Sequence, residues 1–144
     1  MDTSSTPDSP EAMLALLERS VLTSGFSTML GARPLRCWQG ECELLIDLKP
    51  ELTQHHGFAH GAVVGAAADN ACAWAAASVA GDVVTASYTL HLVAPAKGER
   101  LRAKGLVLKS GRRQLTVRAD VFAETGNEAR LVATALAAVA RVER

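Results

Sequence analysis

The chain has 144 residues, 49% of them hydrophobic but only 4% aromatic, with 15 Lys and Arg set against 15 Asp and Glu. That length suits one domain, and the charge balance gives no global field to draw nucleic acid or an anionic membrane surface. A core so poor in rings is built from Ala, Val and Leu, buries modest area per side chain, and implies self-association to hide the remaining apolar surface.

The opening "MDTSSTPDSPEAMLALLERS" places acids, Ser and Pro before any apolar run, the wrong order for a secretory signal. Residues 1–9 are expected to be a disordered tail and 10–144 a single domain. Cys37, Cys42 and Cys72 form no CxxC pair and read as reduced thiols, which suits a cytoplasmic protein. From Pro10 to about Leu30, the spacing of Met13, Leu14, Leu16, Leu17, Val21 and Leu22 predicts one amphipathic helix ending near Gly25 or Gly31. "PLRCWQGECELLIDLKP" carries two β-rich runs around Gln39-Gly40 and predicts a hairpin. "ELTQHHGFAH" reads as a loop.

The run from Gly61 to about Val79 is rich in alanine, the best helix former, and apolar nearly all round, so it predicts a buried central helix. Beyond Gly81-Asp82 the period becomes two. "VVTASYTLHLVAP", "RLRAKGLVLK" and "QLTVRADVFAE" are separated by "AKGE" and "SGRR", which predicts consecutive antiparallel strands in a meander. The final "ARLVATALAAVARV" fits helix by its alanines and strand by the "TGNE" turn before it.

A membrane span over residues 61–80 would suit the roughly 20 residues needed. However, the run has no Leu, Ile or Phe to offset Asp69, which costs about 2.5 to 3.5 kcal/mol at a span's centre. His56 and His60 stand four apart, a metal-ligand spacing on a helix, but Gly57 lies between them and no acid stands at a matching offset. His55 and His56 read as solvated loop residues. Asp69 is the unusual residue, because an unpaired carboxylate is rarely buried among alanines. It is hydrogen-bonded to a neighbouring strand, exposed on a solvent stripe, or held in an apolar cleft as a reactive base or nucleophile.

"HGAVVGAAAD" followed by "VVTASYTLHLVAPAKGERLRAKGLVLKSGRRQLTVRADVF" resembles the hotdog-fold acyl-CoA thioesterases of the phenylacetate-pathway (PaaI) type. Their pattern runs polar residue, Gly, His-Gly-Gly and an acid nine residues after that histidine. Thr or Ser, Pro-Ala, Gly and Gly-Arg then follow. Here the set is Gln54, Gly57, His60-Gly61, Asp69, Thr85, Pro95-Ala96, Gly98 and Gly111-Arg112. The resemblance covers about residues 34–142. It implies an α+β hotdog, a curved antiparallel sheet wrapped around the long central helix with an N-terminal helix beside it, and it makes the last segment a strand. It also implies a homodimer, or a dimer of dimers, with active sites between protomers.

Carried over by resemblance, the Gly61 N–H would polarise the thioester carbonyl, and Asp69 of the facing protomer would act as general base or nucleophile. Gln54 would position the water or the carbonyl, Thr85 would bond near the nucleophilic water, and His60 would hold the loop or touch the sulfur. Gly57 and Ala62 would line the substrate path. Arg112 and Arg113 would take the CoA phosphates, or stand as ordinary turn arginines. No metal or redox cofactor is implied, CoA being part of the substrate. Phe58, Ala73, Trp74 and Leu92 are the expected pocket lining. Two departures stand out: Ala62 replaces the second glycine of His-Gly-Gly, and Gln54 stands where PaaI-type enzymes have Asn. The alternatives are a non-catalytic module that binds acyl-CoA or acyl-carrier thioesters, and an enoyl-CoA hydratase of the same fold. The hydratase needs an acid close to the histidine, and no acid lies between residues 52 and 68.

Overall fold

The computed structural model describes residues 6–143; residues 1–5 of the expected tail lie outside the described residues. Ser9 caps the first helix, α1 (Pro10–Thr23), its side chain accepting from the Ala12 N–H at 3.1 Å. Of the two ends expected for this helix, near Gly25 or near Gly31, the first is observed. Ser24 turns extended, with φ −92° and ψ 107°, and its hydroxyl caps a second short helix, α2 (Gly25–Leu30). Serine favours caps over helix interiors because its oxygen can satisfy a free N–H.

The predicted hairpin is present as β1 (Arg33–Trp38) and β2 (Glu41–Asp47). Gln39 and Gly40 have φ of 52° and 85°, the double left-handed turn that matches strand twist. After a short turn at Pro50–Leu52 comes the central helix, α3 (Gly61–Ala80), and then β3 (Val83–Leu92), β4 (Arg100–Ser110), β5 (Gln114–Thr125) and β6 (Glu128–Arg141). The last segment is therefore a strand.

All pairings are antiparallel, in the order β1-β2-β4-β5-β6-β3. Only β4, β5 and β6 form the meander. β3 pairs with β6 at the far edge, while β4 pairs with β2, so "AKGE" belongs to a crossover rather than a hairpin turn. Pro95 has no N–H with which to extend a ladder. The crossover is tied down by Ala96 O, which accepts from Ala59 N at 3.0 Å, and by Glu99 N, which donates to Glu124 O at 2.8 Å.

α3 lies across the inner face of the sheet, over Leu44, Leu101, Val117, Val121 and Val139, all fully buried. Alanines let the helix approach the strands so closely that a Cβ on Gly105 would lie 2.2 Å from the Ala71 carbonyl oxygen. Two bonds between side chain and backbone then fix its height. Cys37 Sγ donates to Trp74 O at 3.1 Å, and Gly40 N donates to Ser78 Oγ at 2.8 Å. Thus α3 is long and apolar enough to cross a membrane, yet it is the packed centre of this fold. The outer face carries charge instead. Glu124, 8% exposed, takes Arg100 Nε at 2.8 Å and Arg102 Nε at 2.7 Å, and Arg102 also reaches Glu43 at 2.6 Å. Among the described residues the outer edge of β3 has no partner strand, and Val84, Tyr88 and Leu92 along it are exposed.

Candidate active site

The first turn of a helix leaves its N–H groups without intrahelical acceptors. In α3 His60 deals with most of them. Its Nδ1 accepts from Ala62 N at 2.9 Å, and its carbonyl accepts from Val63 N at 2.9 Å and Val64 N at 3.2 Å. Gly61 N–H is left without an acceptor among the described residues. It sits at the positive end of the helix dipole, where a developing negative charge is stabilised. Using Nδ1 as the cap acceptor places the proton of the neutral His60 ring on Nε2.

The segment before the helix is a small closed loop. Thr53 bridges to Ala59, Gln54 N donates to Phe58 O at 2.9 Å, and Gly57 N donates to Gln54 O at 2.9 Å. Gly57 takes a φ of +88°, which favours glycine. The side-chain oxygen of Gln54 accepts from His56 N–H, so the amide group left over on Gln54 is the NH2, a donor. His55 and His56 are exposed, as expected of loop residues, but their rings are 4.0 Å apart at the centroids, and His56 stacks at 12° to Phe58.

Gln54 and Gly61 open onto a common cavity of about 370 Å³, with Phe58, Val64, Leu92 and the crossover residues 93–96 as its walls. Of the four expected lining residues, Phe58 and Leu92 are present; Ala73 and Trp74 lie further along α3, and Trp74 packs against the core. Nothing in the strand periodicity announces the crossover as a wall, because its role follows from the sheet order.

Asp69 lies in the middle of α3, half-buried, and accepts a hydrogen bond from Thr85 Oγ1 at 2.6 Å. The expected bond to a neighbouring strand is thus present, and it engages only Oδ1. Cys72, one turn on, has its thiol pushed up to about 12 by burial and then by the charge of Asp69. It therefore stays protonated and does not compete as a nucleophile. Among the described residues, no three His, Cys, Asp or Glu side chains gather as a metal-ligand group.

Not every expected site residue is brought together. At the helical rise, Asp69 stands about 12 Å along the axis from Gly61, beyond reach of one carbonyl carbon. Arg112 and Arg113 are exposed in the β4–β5 turn. Arg113 O accepts from Arg141 N, and Val142 N donates to Asp82 O just past the end of α3, so the turn lies at the opposite end of the helix from Gly61. Ala62 is exposed within the helix, where its methyl group is compatible with the backbone. Asn70, beside Asp69, donates to Ser27 Oγ at 3.2 Å and so ties α2 to α3; only its position next to the acid hints at this in the sequence.

A sequence model described as the thioesterase superfamily matches residues 56–130. A thioesterase family protein from Silicibacter pomeroyi superposes with a TM-score of 0.84 at 30% identity, covering 89% of this chain and 96% of its own. A point mutant of the phenylacetic acid degradation protein PaaI from Thermus thermophilus gives 0.74 at 28% identity, covering 83% and 100%. The E. coli PaaI protein, 17% identical, shares the fold with a TM-score of 0.82 over 94% of this chain and 97% of its own. No functionally curated protein matches the chain. With the matched segment spanning more than half of the sequence and the fold shared over 83% to 89% of the chain, the chain belongs to the thioesterase superfamily, as a hotdog-fold protein of the PaaI type.

Proposed function

We propose that this protein is an acyl-CoA thioesterase that works as a homodimer or a dimer of dimers, hydrolysing an acyl- or aryl-CoA to the free acid and CoA. One observation carries the reading. The N–H left over in α3's first turn and the acid of the same helix are about 12 Å apart along the axis, so one chain cannot apply both to one thioester. A second copy, paired two-fold along the open edge of β3 and the exposed flank of α3, brings its Asp69 towards this chain's Gly61.

In that arrangement the thioester oxygen accepts from Gly61 N–H and from the NH2 of Gln54. Both donors are held in place before substrate arrives, Gln54 by the His56 N–H on its oxygen. Preorganised donors of this kind are worth about 10²–10³ each in kcat. The partner's Asp69 is oriented by Thr85 through Oδ1. Its other oxygen either removes a proton from the attacking water or attacks the carbonyl carbon itself. On the first route, water oxygen bonds to carbon, its proton passes to Asp69, the carbonyl electrons move onto oxygen, and collapse expels CoA thiolate, which takes up a proton. On the second, an acyl-aspartyl anhydride forms as thiolate leaves, and water then cleaves it. A single turnover in ¹⁸O water separates them, since only the anhydride route can place label in Asp69.

The test is thiol release from a panel of acyl- and aryl-CoAs. Wild-type turnover with a loss of at least about 10³ in Asp69→Ala is expected, on the scale of removing a catalytic base or nucleophile. Turnover that survives the substitution refutes the assigned role; binding without turnover on every thioester would make the protein a non-catalytic carrier of these ligands.

A further inference from the structure

We infer that Phe58 is a partition between two cavities and sets the length of acyl group the site accepts, and that the acyl group is an uncharged aliphatic or aryl tail. The inference rests on the thioesterase reading above and names its substrate class.

The 370 Å³ cavity begins at the two donors, Gly61 N–H and the Gln54 amide. Beyond them its side chains are apolar: Gln54 is the one polar side chain in its wall, and Phe58, Val64, Leu92, Val93 and Pro95 are the largest of the others. The crossover backbone is also engaged, because Val93 and Ala94 both give their N–H groups to Val132 O and Pro95 has none to give. A thioester has two ends. The pantetheine arm carries amides that would go unpaired here, at about 1–3 kcal/mol each, whereas a hydrocarbon tail gains from burial. The tail therefore occupies this cavity. A carboxylate on it would meet no Lys, Arg or His side chain in this wall.

Behind the cavity lies a second one of about 270 Å³, bordered by Lys49, Thr53, Gly57 and Gly98. The two share Phe58, Ala59 and Ala96. Ala59 and Ala96 are joined by a backbone hydrogen bond at 3.0 Å, so no side-chain change opens that part of the wall. Phe58 is the removable part, its ring steadied by His56 on one side.

The test measures kcat/KM for CoA thioesters of increasing chain length, together with phenylacetyl- and succinyl-CoA, in wild type, Phe58→Ala and Phe58→Trp, with Phe58→Leu in reserve should the alanine variant not fold. Each preference is read as a ratio within one variant, so a change in overall rate cancels and only the selection of chain length remains. Wild type should favour medium-length or phenylacetyl tails and take succinyl-CoA at least about a hundredfold more slowly. Opening the partition should raise the dodecanoyl-to-hexanoyl ratio at least about tenfold, and Phe58→Trp should lower the hexanoyl-to-propionyl ratio. Ratios that stay within about twofold of wild type in both directions, or a preference for succinyl-CoA, would overturn the inference while leaving the hydrolase standing. Wild-type silence on every thioester removes the hydrolase reading and this inference with it.

Discussion

At the tip of α3 the site is made of backbone: one N–H left over after His60 has consumed the others, and a loop whose hydrogen bonds fix a glutamine. Two turns further along, it is made of side chains: a carboxylate and the hydroxyl that orients it. On the proposed reading the tip depends on what the helix start leaves unsatisfied, so its chemistry should survive substitutions that keep the N–H. The middle depends on one residue's identity and survives almost none. The comparison also explains the alanines. A helix whose Ala71 carbonyl presses onto Gly105 has no room for larger side chains at that contact.

The sharpest way to break this contrast is at Gly61. Proline is tolerated at the first helical position, and His60 already has the extended ψ of 140° that suits a residue before proline. Gly61→Pro therefore removes the N–H while keeping the helix, and should lower kcat by about 10²–10³. Gly61→Ala retains the N–H and brings a Cβ to 3.1 Å from Leu92 Cδ1, so a loss under about tenfold in kcat is expected. Equal losses in the two variants would remove the N–H from the mechanism.

Glu124 lies outside both halves and serves as the contrast in stability. The hydrogen bond from Arg102 holds its carboxyl below the usual value of 4.5 against the opposing effect of burial, with Arg100 adding to the pull. The arginines are only partly buried, so Glu124→Gln should cost about 2 kcal/mol of stability at neutral pH with kcat unchanged. A depressed carboxyl stabilises the fold above its unfolded value, and that contribution is lost as pH falls through the folded one. The gap between variant and wild type should therefore close on acidification from about pH 4.5 downward. A gap in unfolding free energy that widens there would contradict the assignment.

The smallest effect is expected at the cap itself. His60→Ala frees the Ala62 N–H and should cost about 1 kcal/mol in thermal unfolding, while His60→Asn, another good capping residue, should recover most of it.

Features governed by local chemistry could be read from the residues. Gln39-Gly40 pointed to a hairpin and the alanine run to a helix, whereas the nine-residue interval from His60 to Asp69 took its meaning from the family resemblance alone. Period-two alternation shows that β3 is a strand but not which strand it joins, so the crossover to the far edge was hidden, and with it the cavity wall it forms. The end of α1 near Gly25 was one of two readable from the spacing, but the second short helix that the Ser24 hydroxyl caps was not. The candidate site residues stood out by their type and order against the family pattern. Their separation was not obvious, because a motif is written on a line, whereas Arg112 and Arg113 lie at the far end of the helix from Gly61.

The central claim is that Asp69 and Gln54 act on one thioester from different chains. Mixing Asp69→Ala protomers with Gln54→Ala protomers, after dissociation and reassociation, tests it directly. In a two-fold dimer each hybrid holds one site with both defects and one with neither. The mixture should then regain about a quarter of wild-type thiol release, the share given by random pairing. Activity no higher than that of the better single variant would place both residues in one chain's site and contradict the account.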